Sequence, residues 1–292
     1  MPIQLKDSDN TLIPVQFLQF AGGERHVQID AKCLEQLDTA VSIRADLRNS
    51  QDVMDYLLLE SILLQQGLFI SVEIPYFPYA RQDRICAKGQ AFSLEIMTRL
   101  MNINVERLPQ QRRQLTIWDA HSQVTAQLLQ QNSYFQRIDN VSATEIVLHS
   151  TELTDILTQP NTVLICPDAG AKNRTQHLAN AIALQRTQPI DIVYSEKKRN
   201  PSTGKISHTE VHATDLSQHT AVICDDICDG GATFIGIAKA LRELGCQRII
   251  LYVTHGIFSK GLEVFDGYID VIFTTNSFIH APHPKLNIID FS

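Results

Sequence analysis

The sequence predicts an α/β protein with two domains, each built on a mainly parallel β-sheet covered by helices. Three observations lead to this prediction. Apolar runs of strand length alternate with segments of helical periodicity along most of the chain. The chain has 292 residues, enough for about two domains. Acidic residues stand directly after several strand-like runs, where an open α/β sheet places its ligands.

The first half of the chain shows this alternation clearly. Helix 51–66 is bracketed by Ser50 and Gly67 and carries apolar residues on one side. The elements predicted here are helix 51–66, strand 68–74, a helix near 92–102, strand 115–118 and a helix at about 121–131. Strands that alternate with helices favour a parallel sheet with helices on both faces.

The second half shows the same alternation of strands and helices. Between the halves, at 139–151, the composition no longer has a clear strand or helix pattern. The predicted elements are strand 162–166, helix 172–185, strand 190–194, strand 221–225, helix 234–244, strand 248–253 and strand 270–274. We therefore predict one domain over residues 1–147 and a second over residues 148–292.

The composition excludes several classes of protein. With 44% hydrophobic and 20% charged residues, the chain can bury a core and is not disordered. A net charge of −7 argues against a general nucleic-acid surface. The first residues lack the apolar core of an export signal, and no run approaches the roughly 18 apolar residues of a membrane span. We expect a cytoplasmic protein.

The cysteines point to the same compartment. The chain has six, without a CxxC pair or the density of a disulfide scaffold, which fits a reducing cytosol. A zinc site formed by Cys224, Cys228 and His255 is conceivable, but no second ligand pair has the usual spacing.

The most informative segment is 222–233, Val-Ile-Cys-Asp-Asp-Ile-Cys-Asp-Gly-Gly-Ala-Thr. An apolar strand ends in Asp225 and Asp226, Asp229 follows, and a loop of small residues opens a helix. The start of a helix binds anions through its N–H groups and its dipole, and carboxylates bind hydroxyls. The segment therefore predicts a sugar-phosphate site. The plainer alternative is an Asp and a Gly that only cap the helix.

Two basic segments are candidates for contacts with phosphate. Segment 74–84 runs from a strand into a Pro-broken turn that contains aromatic residues, Arg81 and Arg84, and arginine suits both phosphates and planar bases. Segment 196–206 is cationic and contains Pro and Gly, as a mobile loop would, and its cations can neutralise charge on a transferred phosphoryl group. Each segment alone also fits a solvated surface loop.

Asp119, His121 and Asp168 also follow strand-like runs. A carboxylate and an imidazole can hold a magnesium ion that is bound partly by nucleotide phosphates, so few protein ligands are needed. His121 alone also fits a structural histidine.

These motifs, in this order, resemble one family. PYFPYARQDR, WDAH, CPDAG, the KKR segment and DDxxDGGAT are similar to those of the ribose-phosphate pyrophosphokinases, or phosphoribosyl-pyrophosphate (PRPP) synthetases, over roughly residues 20–277. The resemblance implies two phosphoribosyltransferase-like α/β domains, with ATP on the side of the first and ribose phosphate on the side of the second. It also implies a homo-oligomer, from dimer to hexamer.

The resemblance assigns roles to individual residues. It implies contacts with ATP by Glu24, Arg81, Gln82, Asp83, Arg84 and His121. It implies stabilisation of the transition state by Lys197 and Arg199, and binding of Mg²⁺ by His121 and Asp168. It implies binding of the ribose hydroxyls by Asp225, Asp226 and Asp229, and of the 5-phosphate by Gly230, Gly231, Ala232 and Thr233. Glu24 would act at the nucleotide site of a neighbouring subunit.

The implied reaction is attack by the anomeric hydroxyl of ribose 5-phosphate on the β-phosphorus of ATP, which gives PRPP and AMP. Positioning, magnesium and cations can supply this catalysis without a covalent nucleophile.

The chain departs from the family at several positions. Gly230 stands where the family commonly has threonine, and Gly22 where it tends to have aspartate. Segment 85–91 lacks the basic pattern of allosterically controlled members, so we expect weak activation by phosphate and weak inhibition by ADP. The C-terminal end stops short of the usual final helix.

Three alternatives remain open at this point. One is the same chemistry on a larger ribosyl phosphate such as ADP-ribose, admitted because Gly230 opens the phosphate pocket. A second is a non-catalytic partner of a synthetase, and a third is a phosphoribosyltransferase.

Overall fold

The structure is a computed structural model that describes residues 2–105, 112–199 and 206–291, with only the backbone described at 197–199 and 206–208. The chain divides into two compact units, Met1–Val141 and Ser142–Ser292. The division lies a few residues before the predicted 147/148 boundary. Ser142 caps the first helix of unit 2 by accepting a hydrogen bond from the Glu145 N–H, so the new unit begins with that cap.

Unit 1 is built on a mainly parallel sheet and a separate hairpin. Its strands are β1 (Ile3–Lys6), β2 (Leu12–Ile13), β3 (Val15–Gln19), β4 (Arg25–Ile29), β5 (Ala40–Ala45), β6 (Phe69–Ile74), β7 (Arg113–Trp118) and β8 (Arg137–Val141). Its helices are α1 (Ala31–Glu35), α2 (Ser50–Gln65), α3 (Ser93–Leu100) and α4 (Gln123–Asn132). The sheet order is β2-β1-β5-β6-β7-β8, parallel from β5 to β8 and antiparallel at β1, while β3 and β4 pair with each other.

Unit 2 repeats the architecture with one central sheet. Its strands are β9 (Thr162–Cys166), β10 (Asp191–Arg199), β11 (Ile206–Val211), β12 (Thr220–Cys228), β13 (Arg248–Gly256), β14 (Val271–Thr275) and β15 (Leu286–Ile289). Its helices are α5 (Ala143–His149), α6 (Thr151–Thr158), α7 (Lys172–Ala183) and α8 (Ala232–Glu243), with short 3-10 turns at Ala169–Ala171 and Glu263–Phe265. The order is β11-β10-β9-β12-β13-β14-β15, parallel except for β11.

The α/β prediction with two mainly parallel sheets is confirmed. The buried strands explain why it succeeded: β9 and most of β12 and β13 are apolar and inaccessible, as strands covered on both faces must be. In the part of the chain that the structure describes, no helix is long and apolar enough to cross a membrane.

Three local predictions need correction. Strand 221–225 continues to Cys228, so Asp225 and Asp226 lie in the strand, and Asp225 pairs with Val253 of β13. Segment 139–151, which has no clear pattern in the sequence, contains the end of β8 and helix α5. The predicted loop 196–206 is antiparallel strand at 196–199 and at 206, while 200–205 lie outside the described residues.

A fully buried ion pair ties α2 to β7 in unit 1. Arg113 and Glu60 are inaccessible, and their Nη1 and Oε1 atoms are 2.7 Å apart. Arg113 also donates to the Met101 carbonyl, and Glu60 accepts from Tyr56 and Asn104. Burial, followed by the Glu60 charge, raises the pKa of Tyr56 well above its usual range, so its hydroxyl stays a donor. Burying the two charges costs desolvation free energy, and the ion pair with its hydrogen bonds offsets this cost only while every partner is present.

We predict that Arg113→Met lowers the free energy of unfolding by about 3–5 kcal/mol, because it leaves a buried carboxylate without its cation. Glu60→Gln in the same chain removes that charge and should recover part of the loss. Trp118 is the chain's one tryptophan and is 1% exposed in unit 1, so its fluorescence during urea unfolding reports this unit. A double variant whose loss equals the sum of the two single losses would contradict the coupling.

Candidate functional site

The acidic pair of unit 2 lies near the carboxyl end of the central strand β12. The Asp225 carboxylate accepts a hydrogen bond from the Asp226 N–H at 3.0 Å. Arg174, on α7, places Nη1 3.4 Å from Asp225 Oδ1 and 3.7 Å from Asp226 Oδ1. Asp226 is 4% exposed. One guanidinium therefore faces two adjacent, largely buried carboxylates.

This environment makes Asp225 easier to protonate than an ordinary aspartate. Burial, and then repulsion from Asp226, raises the pKa of Asp225 well above its usual range, and the Arg174 charge opposes the shift. The Asp168 charge also raises this pKa. A ligand that brings hydroxyl donors or positive charge to the pair would favour its ionised form.

Asp168 follows β9, which is the parallel neighbour of β12. Its Oδ1 accepts hydrogen bonds from the N–H groups of Gly170 at 3.0 Å and Ala171 at 3.2 Å. The carboxylate thereby caps the short turn that leads into α7. Since carboxyl ends of parallel neighbours share one edge of the sheet, Asp168 and the acidic pair lie on the same edge.

The turn after β12 is held by the segment after β13. Ser259 Oγ donates to Asp229 Oδ1 at 2.6 Å, and the Ser259 N–H donates to the Asp229 carbonyl at 3.1 Å. The N–H groups of Ile257 and Phe258 both donate to the Cys228 carbonyl. Sequence analysis missed this support because residues 257–259 carry no recognisable chemical motif.

Gly231 gives the turn its shape and begins α8. Its φ is +76°, in the left-handed region that favours glycine, and a Cβ there would lie 2.6 Å from Cζ of the buried Phe265. No side chain caps α8 at this position. The N–H groups of its first turn, at Ala232 and Thr233, are therefore not taken up by a cap and suit an anion.

The basic turn of unit 1 follows β6. Phe77 and Ala80 are buried and anchor it, while Arg81, Gln82 and Arg84 are exposed and Asp83 is partly buried. Tyr79 has φ +62°, and its carbonyl accepts from the Gln82 N–H at 2.8 Å. The predicted nucleotide contacts are thus presented to solvent by an anchored turn.

The WDAH motif follows β7, the parallel neighbour of β6. Asp119 is buried with φ +36°, and its N–H donates to the Val141 carbonyl. Ala120 N–H donates to Asn140 Oδ1 at 3.0 Å, and His121 is exposed. His121 and the Arg81 turn therefore lie on the carboxyl edge of the same sheet.

Two further charged residues lie at this edge and were missed by sequence analysis. Asp46 and Arg48 follow β5, with Oδ1 and Nη2 3.6 Å apart, and the Arg48 guanidinium lies 6.0 Å from the Tyr76 ring centroid. Burial raises the pKa of Asp46 and lowers that of Arg48. Their position after a strand-like run was the available signal.

The remaining predicted residues lie elsewhere. Glu24 is exposed in the turn of the β3–β4 hairpin, where its carbonyl accepts from the Phe20 N–H. Lys197 and Arg199 have their backbone on β10, and their side chains lie outside the described residues. Gly230 lies in the turn between Asp229 and Gly231.

The geometry does not favour the zinc alternative. Burial raises the pKa of the Cys228 thiol to about 12, which opposes the thiolate that zinc requires. His255 is buried, with Nδ1 3.0 Å from Ser277 Oγ. Within residues 2–105, 112–199 and 206–291, no three His, Cys, Asp or Glu side chains are grouped so as to hold a metal ion by themselves.

We predict that Gly231→Ala destabilises unit 2 more than Gly267→Ala. Both glycines have nearly the same φ, +76° and +77°, but nothing lies within 4 Å of a Cβ on Gly267. Backbone strain should lower the free energy of unfolding of each variant by about 1–2 kcal/mol. Gly231→Ala should lose about 1–3 kcal/mol more, because its Cβ displaces the Phe265 ring. Thermal unfolding measures the difference, and equal losses would refute the packing argument.

We predict that Arg174→Met raises the pKa of Asp225 further, because the Arg174 charge opposes the upward shift that burial and Asp226 cause. An NMR titration of the aspartate carboxyl carbons measures this pKa. Arg248→Met, at the exposed amino end of β13, makes the same charge change as a control and should leave the pKa of Asp225 in place. A pKa that stays unchanged, or falls, in Arg174→Met would contradict the role given to the Arg174 charge.

The chain is similar to known proteins over most of its length. The phosphoribosyl transferase domain family matches residues 139–284, half of the chain. The chain is 27% identical over 284 residues to a ribose-phosphate pyrophosphokinase of Pyrococcus furiosus, covering 94% of this chain and 89% of the relative. It is 26% identical over 295 residues to one of Thermococcus kodakarensis, covering 98% and 93%.

A solved structure is also similar. The phosphoribosylpyrophosphate synthetase from Mycobacterium smegmatis superposes with a TM-score of 0.74 at 20% identity, covering 96% of this chain and 87% of that one. This likeness supports the fold, and the sequence relationships support the family. The chain belongs to the phosphoribosyl transferase domain family and, within it, to the ribose-phosphate pyrophosphokinase family of enzymes.

Proposed function

We propose that this protein transfers the pyrophosphoryl group of ATP to the anomeric hydroxyl of ribose 5-phosphate, giving PRPP and AMP. The observation that carries the proposal is the pairing of Asp225 and Asp226 with the glycine turn at one end of β12. Carboxylates there can accept hydrogen bonds from vicinal hydroxyls, while the N–H groups at the start of α8 receive a phosphate. A sugar that carries one phosphate satisfies both requirements.

Each group in unit 2 then has a role in positioning the acceptor. Asp225, Asp226 and Asp229 hold the ribose hydroxyls, and the Arg174 charge faces the first two and opposes the rise in the pKa of Asp225. Gly230, Gly231, Ala232 and Thr233 surround the 5-phosphate. Because Ser259 fixes Asp229 and Phe265 packs against Gly231, the acceptor meets a preorganised site and loses little binding energy to ordering it.

Unit 1 would supply the nucleotide contacts. Arg81 and Arg84 suit the phosphates or the face of the adenine, Gln82 offers an amide, and Asp83 shapes the turn. His121 lies on the same sheet edge. Glu24, exposed in its hairpin, would reach the nucleotide site of a neighbouring subunit in a homo-oligomer of dimer to hexamer size.

The donor set fits magnesium. His121 is exposed, and Asp168 offers a carboxylate at a strand end, so each could hold an ion that the nucleotide phosphates also bind. When bound, Mg²⁺ would offset the negative charge of the phosphates.

Catalysis of this reaction requires the protein to position the two substrates and to supply positive charge. A bond forms between the anomeric oxygen and the β-phosphorus, the bond from that phosphorus to the α-phosphate oxygen breaks, and AMP leaves with the electron pair. The anomeric proton passes to solvent. Lys197 and Arg199 would stabilise the negative charge of the transition state.

The proposal also includes the cellular compartment of the protein. The structure contains free cysteines at positions 33, 86, 166, 224, 228 and 246, which suits a reducing compartment. We place the enzyme in the cytoplasm on this ground.

Incubation with ATP, Mg²⁺ and a panel of ribosyl phosphates, followed by mass spectrometry, tests the proposal. We expect PRPP and AMP with ribose 5-phosphate. Lys197→Ala should lower kcat by about 10²–10³-fold with little change in KM, because its charge serves the transition state. Lys6→Ala, on the first strand of unit 1, is the control.

Three results would replace the proposal. AMP released with ADP-ribose but not with ribose 5-phosphate would establish the larger acceptor. PRPP consumed together with a nitrogenous base would establish a phosphoribosyltransferase. No consumption of ATP with any acceptor, together with binding to an active synthetase, would establish a non-catalytic partner.

A further inference from the structure

One cationic side chain at the turn of unit 2 has no part in the assignments above. Lys260, which follows Ser259 after β13, lies alongside Gly230. A Cβ built on Gly230 would be 3.3 Å from Lys260 Cε, 3.4 Å from Cδ and 3.7 Å from Cγ. The aliphatic part of the lysine therefore lies against Gly230, and a side chain on residue 230 would have to displace it by a few tenths of an ångström.

The backbone around Lys260 is held in place. Ser259 is hydrogen-bonded to Asp229 through both its side chain and its N–H, and Phe258 has φ +46°. The Gly261 N–H donates to the Phe258 carbonyl, which closes the turn around Lys260. The root of this side chain thus has a defined position relative to the turn at residues 229–231.

The ammonium group itself is available to a ligand. Lys260 is exposed, and within the described part of the chain its Nζ takes part in neither a hydrogen bond nor an ion pair. Its Cε lies next to Gly230, and the ammonium is one bond further along this exposed side chain. A phosphate bound at the turn would come within its reach.

The charges of the site explain why a cation is needed there. Asp225, Asp226 and Asp229 bring three carboxylates to this strand end, and Arg174 faces two of them. A phosphate monoester adds about two negative charges at neutral pH. The N–H groups of the turn carry only partial charge, and Gly230 has no hydroxyl to offer.

We propose that Lys260 is a specificity-determining residue that binds the terminal phosphate of the ribosyl phosphate, and that Gly230 is the small residue that lets the lysine lie there. This inference rests on the proposed function, since it assigns the phosphate to the same turn. It favours an acceptor with a dianionic phosphate monoester over ADP-ribose, because the lysine fills the room that Gly230 would otherwise open.

Calorimetric titration with ribose 5-phosphate, without ATP, tests this on the full chain. Lys260→Met should weaken binding by about ten- to a hundredfold, the size of a charge-assisted hydrogen bond. Lys260→Arg should bind within a few fold of the unmodified protein. Lys239, on α8, is an exposed lysine whose Nζ lies 5.0 Å from the centroid of the Tyr268 ring. Lys239→Met removes this cation and should leave binding unchanged. The KM for ATP should be the same in all variants.

Unchanged affinity in Lys260→Met would overturn the inference, and PRPP synthesis by the unmodified protein would show that the proposed function survives. If ribose 5-phosphate binds with the predicted dependence on Lys260 but no PRPP forms, the inference holds and the proposed function fails. A protein that binds no ribose 5-phosphate would overturn both.

A second measurement tests the role of Gly230. In Gly230→Thr the new side chain must push the lysine stem aside, because its Cβ would lie 3.3–3.4 Å from two lysine carbons. We therefore expect Lys260→Met to cost less affinity in this variant than in the unmodified protein. If Lys260→Met lowers the affinity equally in the unmodified protein and in Gly230→Thr, residue 230 and Lys260 do not compete for the same space.

Discussion

The site of unit 2 depends on the burial of two adjacent carboxylates at the end of a central strand. Asp225 and Asp226 are held between the neighbouring strands, where desolvation penalises their charges and each repels the other. Arg174 reduces this penalty, and a ligand with several hydroxyls would reduce it further. The unliganded strand end is therefore locally unfavourable, and binding of such a ligand would stabilise it.

That strand end keeps its geometry because the segment after β13 closes over it. Ser259 holds Asp229, and Phe265 packs so closely against Gly231 that a single extra carbon would overlap the ring. Phe258 and Phe265 meet edge to face, with ring centroids 6.0 Å apart. The turn at residues 229–231 is therefore held by a hydrogen bond and aromatic packing from a segment about thirty residues later in the chain.

The sequence was sufficient for the parts of this structure that follow from local pattern. Strand 162–166 was predicted at its observed limits, and the acids after β9 and in β12 were predicted at one sheet edge, because buried parallel strands have a strong apolar signal. Short edge strands such as β11 and β15 were missed, since their register comes from neighbours and not from their own composition. Arg174, Ser259 and Phe265 were missed for a related reason: their roles are contacts between distant segments.

The turn at residues 229–231 shows how such contacts bear on the specificity that we propose. From the sequence alone, Gly230 lacks the hydroxyl of the threonine common in the family and opens the pocket, which admits a larger acceptor as an alternative to ribose 5-phosphate. In three dimensions the stem of Lys260 lies against the same glycine, so on our proposal the pocket is not enlarged and gains a positive charge. A glycine substitution in a binding motif therefore has no fixed meaning by itself. Its effect on the ligand depends on which side chain from elsewhere enters the vacated space, and in this protein that side chain is a lysine.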